Sequence, residues 1–228
     1  MQRRTRVLFC AVLGLIALAS FTIGCGSSSN ARIRLVNATP DEGDLDLLVD
    51  TKNVASSVGY GAASAYSSVG SGSRQLQVEP TGTTTILIDR TDSVSSGANL
   101  SLVTLNFSFN ISSILLTDDN SAPTSGNFKL RILNASPGMG AQDVYVVTFG
   151  TDINSVDRTF SSLAFGSAAA YSTLAAGDYE VFFTPPGQKF PINLDSGKLT
   201  FSAGQIRTLL ALNNPAGAFM STLLADAN

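Results

Sequence analysis

The sequence predicts an all-β protein, with two tandem Ig-like antiparallel β-sandwich domains behind a cleaved signal peptide. Three observations predict it. The segment IRLVNATP at 33–40 returns as LRILNASP at 130–137, with four of the eight positions identical and the rest conservative. Apolar and polar residues alternate over short spans, as half-buried strands require. Gly, Ser, Asn and Asp cluster between those spans, which come about every 8–12 residues, the rhythm of a sandwich.

The echo continues in order along the chain. GAASAYSSVGSG at 61–72 returns as GSAAAYSTLAAG at 166–177, and SLVTLN at 101–106 returns as TLLALN at 208–213. The tails correspond too, SILLTDDN at 113–120 facing STLLADAN at 221–228. A period of roughly 100 residues is the size of a whole small domain. It is too long for a solenoid unit that leans on its neighbours.

The first element is residues 1–24, a lipoprotein signal peptide. Arg3, Arg4 and Arg6 form a basic start, and an apolar stretch runs from Val7 to Ile23. Gly14, Ser20 and Thr22 interrupt it, whereas a membrane-spanning helix needs about 20 strongly apolar residues. Small residues then lead into Cys25, which resembles a bacterial lipobox, with Thr22 where leucine is commonest. That resemblance implies a diacylglycerol on the Cys25 thiol. Cysteine arithmetic agrees with it, because Cys10 leaves with the signal and Cys25 would otherwise be a lone exported thiol. Two or more acyl chains, at about 0.8 kcal/mol per buried methylene, hold a protein on a membrane stably.

Residues 25–30 form a short tether, which keeps the first domain within about 15 Å of its anchor. The expected location is extracytoplasmic, lipid-anchored at the outer membrane or cell surface. The first repeat covers 31–120, a linker 121–126, and the second repeat 127–228. Expected strands include Arg32–Val36, Arg74–Val78, Thr84–Ile88, Tyr179–Phe183 and Lys198–Phe201, rich in β-branched and aromatic residues. The polar run from Asp118 to Gly126 reads as a hinge. A last strand returning in both copies implies that each sandwich closes on its own tail.

Residues kept in both copies read as scaffold. Asn37 and Asn134 with Pro40 and Pro137 mark a strand exit and turn, where Asn bonds local backbone and Pro stops ladder pairing. Gly72 and Gly177 precede a strand, where positive φ is the usual reason for glycine. Tyr66 and Tyr171 read as packed tyrosines with hydroxyls on backbone. The order Arg-x-x-Asn-Ala-Ser/Thr-Pro, then Asp143-Val144-Tyr145-Val146, a Gly-x-x-x-x-Tyr block, a Gly before a strand and a late Thr-Leu-Leu segment resembles the bacterial family of domain of unknown function 4397 (DUF 4397). Asp46-Leu47-Leu48-Val49 is the looser first copy of the second motif. The resemblance implies exported β-sandwich modules in tandem and brings no catalytic residues.

The chemistry is mostly exclusion. The chain has no histidine, which removes the commonest general base and transition-metal ligand. Without its signal the chain keeps no cysteine but Cys25, and no Gly-x-Ser-x-Gly or Ser-x-x-Lys motif is present. We therefore expect no enzyme, no catalytic residue and no cofactor. Losing the three signal arginines takes the net charge from −3 to −6, a poor balance for nucleic acid, whose phosphates need neutralising cations. Asp41, Glu42, Asp44 and Asp46 concentrate ligand-type oxygens that calcium could take, although a solvated acidic turn is the plainer reading. Tyr179, Phe182 and Phe190 surround Pro185-Pro186-Gly187 as candidate ligand contacts, against the alternative of internal packing. The expected function is a non-enzymatic structural or adhesive module of the cell envelope. Its partners would be the lipid bilayer through acylated Cys25 and an envelope protein or glycan. The alternative is a lipoprotein that binds a glycan or peptide with the loops of the second domain.

Overall fold

The structure is a computed structural model, and it describes residues 30–226. The signal and Cys25 lie outside the described residues. The first half contains β1 (Ala31–Asn37), β2 (Leu45–Val49), β3 (Lys52–Val58), β4 (Ser67–Val69), β5 (Gly72–Pro80), β6 (Ile88–Val94), β7 (Asn99–Leu105) and β8 (Ser112–Thr117). The second half contains β9 (Asn127–Asn134), β10 (Gln142–Thr148), β11 (Phe160–Leu163), β12 (Ser167–Ala168), β13 (Ser172–Ala175) and β14 (Gly177–Thr184). It ends with β15 (Leu194–Asp195), β16 (Leu199–Phe201), β17 (Ile206–Asn213) and β18 (Phe219–Ala225). Among the described residues no helix is long and apolar enough to cross a membrane.

Four sheets build two β-sandwich-like units. In the first unit the order β4-β1-β7-β8 packs on β3-β2-β5-β6. In the second, β9 and β17 lie at the centre of one sheet, and β10 and β14 at the centre of the other. Each unit closes on its own tail: β8 pairs with β7 and β18 with β17. Strand alternation sets the cores. Ile33 and Leu35 of β1 point inward against Leu45, Leu47, Leu76 and Val78, and Leu130 and Ile132 of β9 against Val144, Val181 and Phe183.

The opposite faces of the same strands are also buried. Val36, Val103 and Leu105 meet Leu133, Leu210 and Leu212 in a third apolar cluster that joins the two units. The result is four layers, with the β1 and β9 sheets back to back in the middle. Glycines let the backbones come close there. A Cβ on Gly61 would stand 3.2 Å from Leu212 Cδ1, and one on Gly166 3.4 Å from Leu105 Cδ1.

Four expectations change. The sandwiches are not purely antiparallel: β1 runs parallel to β7, and β9 parallel to β17. The chain leaves β1, builds the whole outer sheet and returns alongside, the long crossover that a parallel neighbour requires. Burial on both faces of these strands fits that pairing. Thr84–Leu87 stay outside the sheet, and the strand starts at Ile88. Gly72 and Gly177 open their strands rather than precede them; Gly72 has φ 108, while Gly177 at 159 is close to extended. The hinge also fails. Asp118 is fully buried, and Lys129 Nζ pins the following turn through Asp119 at 2.6 Å and the Ser121 carbonyl at 2.8 Å.

Candidate functional site

The seam between the units holds a polar centre made from repeated residues. Arg34 is 2 % exposed; its Nε donates to Ser101 Oγ at 2.7 Å and its Nη2 to Asp226. Arg131 Nε donates to Thr208 Oγ1 at 3.1 Å and its Nη2 to Asp118 Oδ1 at 2.6 Å. Tyr66 covers the Arg34 guanidinium at 4.7 Å and donates to Asp118, as Tyr171 covers Arg131 at 4.7 Å and donates to Asp226. These tyrosines therefore bond carboxylates, not backbone as the sequence led us to expect. Burial works against the Arg34 charge, but Asp226, Tyr66 and Asp118 outweigh it and hold its pKa above the ordinary value. Burial pushes the Tyr66 hydroxyl up to about 12, and Tyr171 higher still. Every buried side-chain polar atom among the described residues has a partner. A fully satisfied network of this kind holds structure and leaves no group for a ligand.

Asn37 and Asn134 are scaffold too. Asn37 donates to the carbonyls of Gly43 and Val58 and accepts from Thr39 N, and Asn134 does the same with Gly140, Leu163 and Ser136. Asp46 and Asp143 are another repeated device. They accept from the backbone of Ser57 and Ser162, which sit at φ 55 and 48. Such positive φ is costly for a side-chain residue without a local bond.

The units differ on their outer faces. In the first, Gln75 and Gln77 both donate to Asp89, giving a polar surface. In the second, Tyr145, Val147 and Phe182 make a fourth apolar cluster with Ile153 and Val156 from the loop above. Lys189 ties this loop down. Its Nζ donates to the carbonyls of Ile153 at 2.8 Å, Asn154 at 3.1 Å and Val156 at 2.7 Å, 5.9 Å from the Tyr145 ring centre. Beside it lies a groove of 260 Å³, lined by Thr151, Asp152, Asn154, Phe182, Phe190 and Ile192 among others. Phe190 is 79 % exposed, and Ile192 of the same groove is exposed as well.

The sequence candidates divide between interior and surface. Tyr179 is buried in the second core, its ring 5.3 Å from that of Phe128, and donates to Ala175 O at 2.9 Å. Phe182 is buried on its strand face and forms the groove floor. Phe190 alone of the three meets solvent. The acidic turn does not gather around a point: Asp41 caps Ser108, and Asp46 bonds Asn53, Ser57 and Thr81. Among the described residues no group of three or more His, Cys, Asp or Glu is placed to hold a metal ion. Sequence reasoning missed Lys189 and the 151–154 segment; the signal was Tyr145 on a strand face where the first copy has Leu48. On the same outer sheet, burial followed by the charge of Asp195 raises the Glu180 pKa.

The model of the family described as domain of unknown function (DUF4397) matches residues 31–145. The chain belongs to that family. The DUF4397 match spans the first unit together with β9 and the start of β10 of the second. No curated protein sequence matches this DUF4397 chain. Among solved structures it is similar to a family 26 carbohydrate-binding module from Eubacterium rectale Amy13K in complex with maltoheptaose. That likeness has 13 % identity, coverage of 87 % of this chain and 98 % of that one, and a TM-score of 0.26. The Bacillus anthracis TIE protein follows with 11 % identity, coverage of 85 % and 34 %, and a TM-score of 0.27. A streptococcal virulence factor, described for alpha-glucan binding, has 11 % identity, coverage of 79 % and 92 %, and a TM-score of 0.27. Scores this low carry neither ligand nor arrangement over to the DUF4397 chain.

Proposed function

We propose that this protein is an exported, envelope-anchored, non-catalytic module that binds a neutral glycan in the groove beside Phe190. The observation that carries the reading is the exposed Phe190 ring at the rim of a groove with an apolar floor and fixed polar groups. A sugar ring has apolar C–H faces and a polar edge, so it fits an aromatic surface flanked by hydrogen-bonding side chains. The three Lys189 donors are all taken by carbonyls, so the groove offers a glycan no unpaired ammonium. That favours uncharged chains over acidic ones. The absence of histidine supports a non-enzyme. The basic start, the apolar stretch and Cys25 support export and lipid anchoring at the outer membrane or cell surface. The strand order of the second unit supports a second, Ig-like family domain over 127–228.

A second reading, a structural or adhesive spacer, is favoured by the seam, which fixes the two units to each other. A glycan array that includes linear α-glucans, probed with residues 26–228 and its Phe190→Ala variant, separates the two. Binding lost in the variant is the expected result. Absence of binding to every glycan would overturn the groove reading and leave the spacer. For the anchor, labelled palmitate should reach the wild type and not Cys25→Ser; equal labelling would refute it.

A further inference from the structure

The seam is reciprocal residue by residue. Arg34 and Asp118 on the first unit correspond to Arg131 and Asp226 on the second, and each arginine reaches the other unit's aspartate. The second guanidinium nitrogens follow suit, Arg34 Nη1 to Ala225 O at 2.7 Å and Arg131 Nη1 to Thr117 O at 3.3 Å. The apolar surround is matched as well, Val36 with Leu133, Val103 with Leu210 and Gly61 with Gly166. A contact in which site one meets site two and two meets one is the signature of a two-fold, self-complementary interface. Here it lies within a single chain.

We infer that the two seam faces are a complementary docking pair, and that the alternative occupant of each is the opposite unit's face on another copy of this chain. Two copies can exchange units, the first unit of one closing on the second unit of the other. The same buried pairs then form between chains. Parting the units exposes the apolar cluster of Val36, Val103, Leu133 and Leu210 to water, so an opened chain gains by finding a second open copy. The short segment 121–126 is all that must swing away, together with the Lys129 bonds that hold its start.

Complementary charge reversal tests this on residues 26–228, which contain every strand described above. Arg34→Asp in one chain faces Asp226, and Asp226→Arg in another faces Arg34, so each alone carries a like-charge pair. In the exchanged heterodimer both cross-seam pairs of positions 34 and 226 are matched, while the contact of position 34 with Asp118 of its own unit, 4.0 Å in the wild type, is like-charged in every arrangement of the Arg34→Asp chain and drops out of the comparison. Refolding the two together should give a 1:1 heterodimer, measured by light scattering and differential labelling, in about tenfold or greater excess over either homodimer. The inference is overturned if the mixture stays as separate chains while the double variant Arg34→Asp/Asp226→Arg in one chain regains stability over either single variant. If the double variant does not regain it, wild-type chains with two different labels decide. Unfolded in urea and refolded together, they should co-capture each other increasingly with protein concentration; no co-capture at any concentration overturns the inference.

Discussion

Arg131 Nη2 lies 2.6 Å from Asp118 Oδ1, and the two residues belong to different sandwiches. The relationship is repeated, with the units exchanged, by Arg34 and Asp226. Both ion pairs are buried, so neither is a surface bridge worth only a fraction of a kcal/mol. They act as registry devices: an apolar seam alone would tolerate sliding, while two charged pairs at fixed positions accept one alignment.

Removing one partner should therefore be severe. Arg131→Met leaves Asp118 charged in the seam and is expected to lower stability by about 3–5 kcal/mol. Urea unfolding measures it. The paired change Arg131→Met/Asp118→Leu should recover much of the loss; a single variant within about 0.5 kcal/mol of wild type would refute the burial argument.

Crowding at the seam predicts a second asymmetry. Gly61 has φ 74 and a built Cβ would meet Leu212 and Thr222, whereas Gly82, at φ 79, has nothing within 4 Å. Both alanine variants incur about 1–2 kcal/mol of backbone strain. Gly61→Ala should cost about 1 kcal/mol more from overpacking. Equal melting temperatures for the two variants would contradict it.

Alkaline pH should loosen the seam. A group whose folded pKa is raised keeps its full contribution below the unfolded pKa and loses it as pH rises towards the folded value. For Tyr66 the window runs from about 10, the ordinary tyrosine value, to about 12, with ionisation placing an anion beside Asp118. The melting temperature should fall across that window. Tyr66→Phe should start lower and fall less steeply; parallel curves would rule Tyr66 out as the source.

Lys189 predicts a local effect. Lys189→Met strips three carbonyls of their shared donor, at a cost of about 1–3 kcal/mol. Amides of residues 151–158 should exchange faster in deuterium oxide while those of β9 and β17 keep their protection. A uniform change across the chain would show that Lys189 does not act on this loop alone.

Much of the fold was legible because alternation and repetition are local signals. Leu76 with Val78, and Val181 with Phe183, point inward as their spacing implies. The seam was harder to read because Arg34, flanked by Ile33 and Leu35, looks like the solvent side of a half-buried strand. Its meaning depends on Asp226, a residue 192 positions away. The clue was the apolar company on the same face, Val36 and Val103 with Leu133 and Leu210, more than a solvent face needs. Thr84–Leu87 show the opposite failure: a β-branched run that lies in the turn beyond the last β5–β6 pair, Val78 with Ile88. At the groove, Phe190 was legible from its loop. The floor and the Lys189 tie were not, because they depend on how a loop folds back over a strand.

The parallel pairing of β1 with β7 has a mechanical meaning. Tension applied at residue 30 along β1 does not peel its bonds one after another. From Arg32 to Asn37 the register loads them side by side, in shear, with the β4 pairing beside it. A ligand held on the second unit would pass its pull through the seam to that same strand. Shear needs more force than unzipping, because many bonds must fail together.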